Sequence, residues 1–196
     1  MRLNGKWVGA GIAVAAAAAI GGWYWRERST ERPNFRVILT DGDFQLRAYP
    51  MLVVAGTEIV GARRSAIQRG IKVLSDYILG RSREGEAIAM TTPILSDRQS
   101  DGRWRTRFIM PGKWTRASLP EPGPEVTIDE VPARRVAAIR FSGKVDERIL
   151  TAHEQVLRQW IEDKGLHIAG LPEHAYYGSA STPALLRRTE VLIPVD

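Results

Sequence analysis

The chain has 196 residues, ordinary apolar and charged fractions, a net charge of +6 and no cysteine. This composition supports one globular domain with an appendage and excludes disulfides, zinc ribbons, thiolate haem ligation and thiol nucleophiles. Residues 1–32 carry five basic side chains against two acidic ones, so +3 remains for the rest, without the basic stripe and stacking aromatics of a nucleic-acid binder.

From Trp7 to Trp25 there is no charge, and as a helix at about 1.5 Å per residue the run spans roughly 28 Å, close to a hydrocarbon core. Trp7 stands at one end, Trp23, Tyr24 and Trp25 at the other, as an aromatic belt would, and basic residues lie just outside both. The run predicts one N-terminal transmembrane helix, so residues 1–32 read as a membrane anchor with its flank and the lipid bilayer as a partner of residues 7–25. A cleaved signal peptide is the rival reading, because Ala-x-Ala triplets are plentiful, yet the aromatic cluster falls where a small-residue cleavage site belongs. Keeping the short basic N-terminus inside places the soluble domain on the periplasmic or extracytoplasmic side.

Residues 33–196 form the second region. Strands are predicted over Phe35–Leu39, Phe44–Tyr49 and Leu52–Val60, then a helix from Ala62 to Leu79 with Ile67, Gly70, Ile71, Leu74, Tyr77 and Ile78 as its buried stripe. Gly80 ends that helix. A hairpin follows, from Ile88 to Ile94 and from Trp104 to Met110. In its second arm Trp104, Thr106, Phe108 and Met110 face one side and Arg103, Arg105 and Arg107 the other. Proline cannot donate to a ladder, so Pro93 is expected at an edge or bulge beside a ligand cleft.

After the Pro-rich stretch Leu119–Pro124 the order begins again. Val126–Val131 and Arg135–Phe141 read as strands, Asp146–Lys164 as a helix capped by Gly165, and Tyr176–Ser179 and Leu185–Pro194 as strands. The halves, about 35–117 and 125–196, match residue by residue. Pro50, Val54, Ala55 and Gly61 recur 82 positions on as Pro132, Val136, Ala137 and Gly143. Leu74, Tyr77 and Ile78 recur 83 positions on as Leu157, Trp160 and Ile161, and Phe108–Pro111 recurs at that spacing as Val191–Pro194. The fold class is therefore α+β, a pseudo-two-fold pair of β-β-α-β-β units, each too small to stand alone. A cleft between the units is the natural place for a ligand.

No Walker loop, G-x-G-x-x-G or G-x-S-x-G motif is present, and the three histidines match no familiar metal-ligand spacing. His153 falls in the apolar stripe of the second helix, beside Ile149, Leu150, Val156, Leu157 and Trp160. Two readings stay open for it: a core histidine bonded to a carbonyl, or an axial ligand to haem iron. The basic face Arg63, Arg64, Arg69 and Lys72 is either a solvated helix surface or a partner for tetrapyrrole carboxylates. Glu190 maps onto Arg107 of the first half. An ion pair with an arginine such as Arg107 or Arg187 is preferred over a general base.

Several short motifs together resemble the SOUL haem-binding family. They are Y-I-L-G at Tyr77–Gly80, M-T-T-P at Met90–Pro93, F-I-M-P at Phe108–Pro111 and L-P at Leu119–Pro120, then R-F-S-G at Arg140–Gly143, the pair Tyr176/Tyr177 and R-R-T-E-V at Arg187–Val191. The resemblance runs from about Phe35 to the end. It implies a distorted antiparallel β-barrel with two helices, built from a duplicated unit like that of effector-binding domains. It also implies non-covalent binding of haem or a related porphyrin, in an apolar groove beside a helix with basic groups for the propionates. The matching region is the first helix, with Arg69 and Lys72 beside Ile71; Met90 offers a soft apolar contact, and Tyr176 belongs to the tyrosine pair. Two positions depart from the family pattern. Ala48 in Gln45–Tyr49 stands where some members carry an axial histidine, and Thr189 replaces the asparagine of the R-R-N-E-V motif. His153 is then the remaining candidate for iron. The expected function is a membrane-anchored carrier or buffer of haem or another tetrapyrrole, not an enzyme. The alternatives are an effector-sensing or protein-interaction module and, last, a hydrolase using Glu190.

Overall fold

Alternating side chains decide how each strand is used. The computed structural model describes residues 30–178 and 187–196. Its strands are β1 (Arg36–Asp41), β2 (Phe44–Tyr49), β3 (Leu52–Ile59), β4 (Ile94–Arg98), β5 (Trp104–Ile109), β6 (Thr127–Val131), β7 (Arg134–Ser142), β8 (Glu173–Tyr177) and β9 (Arg188–Val195). The helices are α1 (Arg63–Ile78) and α2 (Glu147–Asp163). Arg32–Asp196 is one compact unit by its contacts. The apolar run Trp7–Trp25 lies outside the described residues, and among the described residues no helix is long and apolar enough to cross a membrane.

All nine strands join one antiparallel sheet in the order β1-β2-β7-β9-β8-β4-β5-β3-β6. Leaving out β1, the order reads the same from both ends once each strand is exchanged for its repeat partner. The pseudo-two-fold axis therefore passes between β4 and β8. Each half gives its first strand to the other: β2 pairs with β7, and β6 with β3. The sheet curls into an open half-barrel rather than a closed barrel, because β1 pairs only with β2 and β6 only with β3.

The outward face of the sheet carries both helices. Leu74, Tyr77 and Ile78 of α1 pack on Val53, Ala55 and Phe108, and Leu157, Trp160 and Ile161 of α2 on Ala137, Ile139, Val191 and Ile193. On the inner face Tyr49, Val54, Leu95, Ile109, Val136, Ala138, Ala175, Tyr177 and Leu192 form a third apolar cluster. Both helices end in a Schellman turn on glycine. In α2, Gly165 at φ +66° bonds back to Glu162, and Leu166 to Ile161.

Three expectations shift. The first arm of the central hairpin begins at Ile94, not Ile88; before it, Ile88 N–H bonds the Ile78 carbonyl, and the Thr91 hydroxyl bonds that of Ile109. β4 lies inside the sheet, so Pro93 is not at an edge, although it does line the inner cleft. β8 starts at Glu173 rather than Tyr176, because two polar residues, Glu173 and His174, are buried there. The repeat also slides in register: Val54 faces Ile109, but Val136 faces Pro194, two residues beyond Leu192. A slide of two keeps every side chain on its own face.

Candidate functional site

The inner face holds two ionic centres at the ends of its apolar band. In the second half Arg47 grips Glu190 with two bonds of 2.7 and 2.9 Å, the Tyr177 hydroxyl donates at 3.0 Å, and Arg140 and Arg188 complete the shell. Arg47 is 1% exposed and Glu190 fully buried. Burial pushes the Glu190 carboxyl up, but the bonds and charges of Arg47 and Arg188 outweigh it and hold the carboxyl at about 2. Glu190 is thus ion-paired as expected, with Arg47, Arg140 and Arg188 rather than Arg107. In the first half the signs invert. Arg107 is the buried centre, 2.9 Å from Asp97 and 3.1 Å from Glu173, and these acids are also held by Arg105 and Arg134.

Between the two centres the cleft is filled by its own side chains. Leu52, Leu95, Ile109, Val136 and Leu192 leave about 10 Å³, the room of a single water. Phe35 covers the cleft's Tyr49 at 5.0 Å between ring centres, with the Arg47 guanidinium 4.6 Å from the Phe35 ring. The expected ligand cleft on the axis is closed on this face.

A different arrangement stands on the helix-bearing face at the β4–β8 seam. Arg63, the first residue of α1, donates to the Tyr176 hydroxyl, and its guanidinium carbon lies 5.3 Å from the Trp104 ring centre and 6.0 Å from that of Tyr176. The next row of the sheet runs Thr106, Ser96, His174, directly opposite one another across β5, β4 and β8. Thr106 Oγ1 and His174 Nδ1 are buried without a hydrogen-bond partner. Burial, helped by the Arg63 charge, pushes the His174 imidazole down to about 4, so it is neutral at pH 7.

Of the candidate ligand contacts named in the sequence, Tyr176 and, from the basic helix face, Arg63 lie in this seam. Arg69 bonds the Val60 carbonyl, and Lys72 pairs with Asp76 at 2.8 Å. At about 100° per residue Lys72 sits on the far side of α1 from Arg63 and Arg69 about 120° around it. Ile71 packs partly buried against the first-half core, and Met90 is 49% exposed in the loop before β4. His153 belongs to the other helix. Its Nδ1 meets the Ile149 carbonyl at 2.8 Å, and its half-buried ring stacks on Phe141 at 3.8 Å. Among the described residues no group of three or more His, Asp or Glu side chains gathers as a metal site. The seam gathers a guanidinium and two aromatic rings, groups that suit an anion and not a bare metal. Sequence reasoning passed over Trp104, Ser96 and His174. Period-two alternation put Trp104 and Thr106 on one face but gave no sign that β8 lies beside it.

Comparison with known proteins agrees with this architecture. The chain resembles the EcmrR C-terminal domain, with TM-score 0.60, 16% identity, 78% of this chain and 96% of that chain covered. It also resembles a crystal structure titled a hydrolase from Listeria innocua, with TM-score 0.55, 13% identity, 81% of this chain and 94% of that one covered. At such identities the likeness is of fold alone. No curated protein matches the chain in sequence. The model of the SOUL heme-binding protein family matches residues 30–194, nearly all of the described structure. The chain belongs to the SOUL heme-binding protein family.

Proposed function

We propose that this protein binds haem or a related porphyrin reversibly and without covalent attachment, as a carrier or buffer rather than a catalyst. The observation that carries the reading is the family match over residues 30–194. The seam supports it: Arg63, beside the Trp104 and Tyr176 rings, offers a guanidinium at the end of the helix that the family resemblance singles out. The inner face favours no catalysis. A carboxylate held at about 2 by arginines is a weak general base, which speaks against Glu190 as the centre of a hydrolase.

Titrating haemin into the full chain tests the reading. A Soret shift saturating near one equivalent, with micromolar or tighter affinity, is expected; a shift that never saturates would sink it. His153→Ala then separates burial from ligation. An unchanged iron spectrum assigns His153 to the core alone, and loss of a low-spin signal would make it an axial ligand. The run Trp7–Trp25 stays the proposed anchor, with the domain outside the cytoplasm; alkaline carbonate extraction leaving the chain in the membrane pellet is the result expected.

A further inference from the structure

The two helices begin in opposite ways. Asp146 caps α2, its side chain accepting the Ile149 N–H at 2.9 Å, and Glu147 adds negative charge to the first turn. α1 has Ala62 at the cap position, no side-chain cap and no acid in its first turn. It opens instead with Arg63 and Arg64, so two cations sit at the positive end of a helix dipole whose first N–H groups lack a side-chain partner. Such an end is unfavourable by itself and is relieved by an anion.

Independent features point to the same spot. Arg63 lies beside Trp104 and Tyr176 instead of a carboxylate, and the Arg98 guanidinium carbon lies 6.0 Å from the Trp104 ring centre. Among the described residues no acid lies within salt-bridge distance of Arg63, Arg64 or Arg98, although most buried arginines of this domain are paired. In the row beside Tyr176, on the same face as Arg63, His174 is 8% exposed and keeps its Nδ1 unpartnered. An uncapped helix start, two arginines without acids and a buried unpartnered imidazole nitrogen therefore meet at the β4–β8 seam.

We propose that the N-terminal end of α1, with Arg63 as its central cation and Arg98 and the Tyr176 hydroxyl at its sides, is the subsite for a carboxylate of the tetrapyrrole. The assignment rests on the tetrapyrrole reading above and moves the carboxylate site from Arg69 and Lys72 to Arg63 at the sheet-facing start of the helix. Arg63 and Arg98 supply charge-assisted hydrogen bonds, the free N–H groups of the first turn complete the anion's shell, and the Trp104 ring orients both guanidinia. His174, neutral and buried, lines the floor without competing for the anion.

The test compares a metal-free porphyrin diacid with its diester, titrated into the full chain and followed by absorbance and tryptophan quenching. The diacid is expected to bind about tenfold or more tighter, the value of one charge-assisted contact. Arg63→Gln with Arg98→Gln should bring that ratio close to one by weakening the diacid. Ala62→Asp should do the same by a different route: it supplies a built-in cap, so the variant unfolds at higher denaturant while losing its preference for the diacid. A ratio unchanged in both variants overturns the subsite and leaves the tetrapyrrole reading standing. Loss of the ratio in Arg69→Gln with Lys72→Gln, but not in these variants, places the carboxylate at Arg69 and Lys72. If neither porphyrin binds the wild-type chain, the tetrapyrrole reading falls and the subsite falls with it.

Discussion

Two helices of one repeated unit meet the same sheet in different ways. Gly70 of α1 and His153 of α2 are repeat partners, at the 83-residue spacing of Leu74 and Leu157. At Gly70 a Cβ would stand 2.6 Å from Thr106 Oγ1 and 2.9 Å from its Cβ, so α1 lies tight on β5 only because that side chain is missing. At the matching place α2 puts an imidazole, stacked on Phe141. The second helix is capped, spaced by a ring and satisfied within itself; the first is pressed down, uncapped and basic at its start. The ionic centres diverge likewise, one around an arginine and one around a glutamate. Duplication preserved placement and left chemistry free to differ, and the less self-satisfied half is the one with groups left over for a ligand.

Breaking the ionic centres should give the largest effects. Glu190→Gln leaves Arg47 buried without its counter-ion and should cost about 3–5 kcal/mol in urea unfolding. Replacing both at once, Arg47→Met with Glu190→Leu, should recover part of that, since the buried cation goes with its partner while the Tyr177 hydroxyl is left without its acceptor. Arg107→Met should cost less, roughly 2 kcal/mol, because Asp97 keeps Arg105 and Glu173 keeps Arg134. Equal losses at the two centres would refute this inverted redundancy.

Acid separates seam from inner face. The folded value of His174, about 4, lies below its ordinary 6.5, so its contribution is complete above pH 6.5 and is lost as pH falls toward 4. Glu190 is held at about 2 against an ordinary 4.5, so its contribution is complete above pH 4.5 and fades toward 2. The Glu173 carboxyl, where the charges of Arg107 and Arg134 overcome the opposing effect of burial, is lowered in the same sense. Stability against pH should fall in two limbs, and His174→Phe should remove the upper one.

Smaller changes sharpen the contrast between helices. Gly70→Ala should destabilise by about 1–2 kcal/mol, because overpacking against Thr106 exceeds the gain in helix propensity. Asp146→Ala should cost about 1 kcal/mol as a lost cap, whereas Ala62→Gly should change stability by only a few tenths, there being no side-chain cap to lose. Thermal or urea midpoints read both.

Much of this molecule was legible in the sequence. Period-two patterning placed Trp104, Thr106 and Phe108 on one face and the arginines on the other, and glycines at 80 and 165 marked both helix ends. The 82- and 83-residue spacings gave the duplication, yet local patterns say nothing about partner choice, so the exchange of β2 and β6 and the open edges were out of reach. β8 was misplaced for a related reason: Glu173 and His174 look like loop residues until Arg134 and Arg107 neutralise one and burial the other. The seam was the hardest to read. Its members come from α1, β4, β5 and β8, and each alone looks like an ordinary surface or strand residue.

The exchanged first strands have a consequence for how the chain is divided. Because β2 is hydrogen-bonded into the second half and β6 into the first, severing the Pro-rich connection at Leu119–Pro124 would not yield two free lobes. Each piece would lack a strand that only the other can supply. Co-expressed fragments should therefore reconstitute as a split protein, and ligand binding would report their reunion.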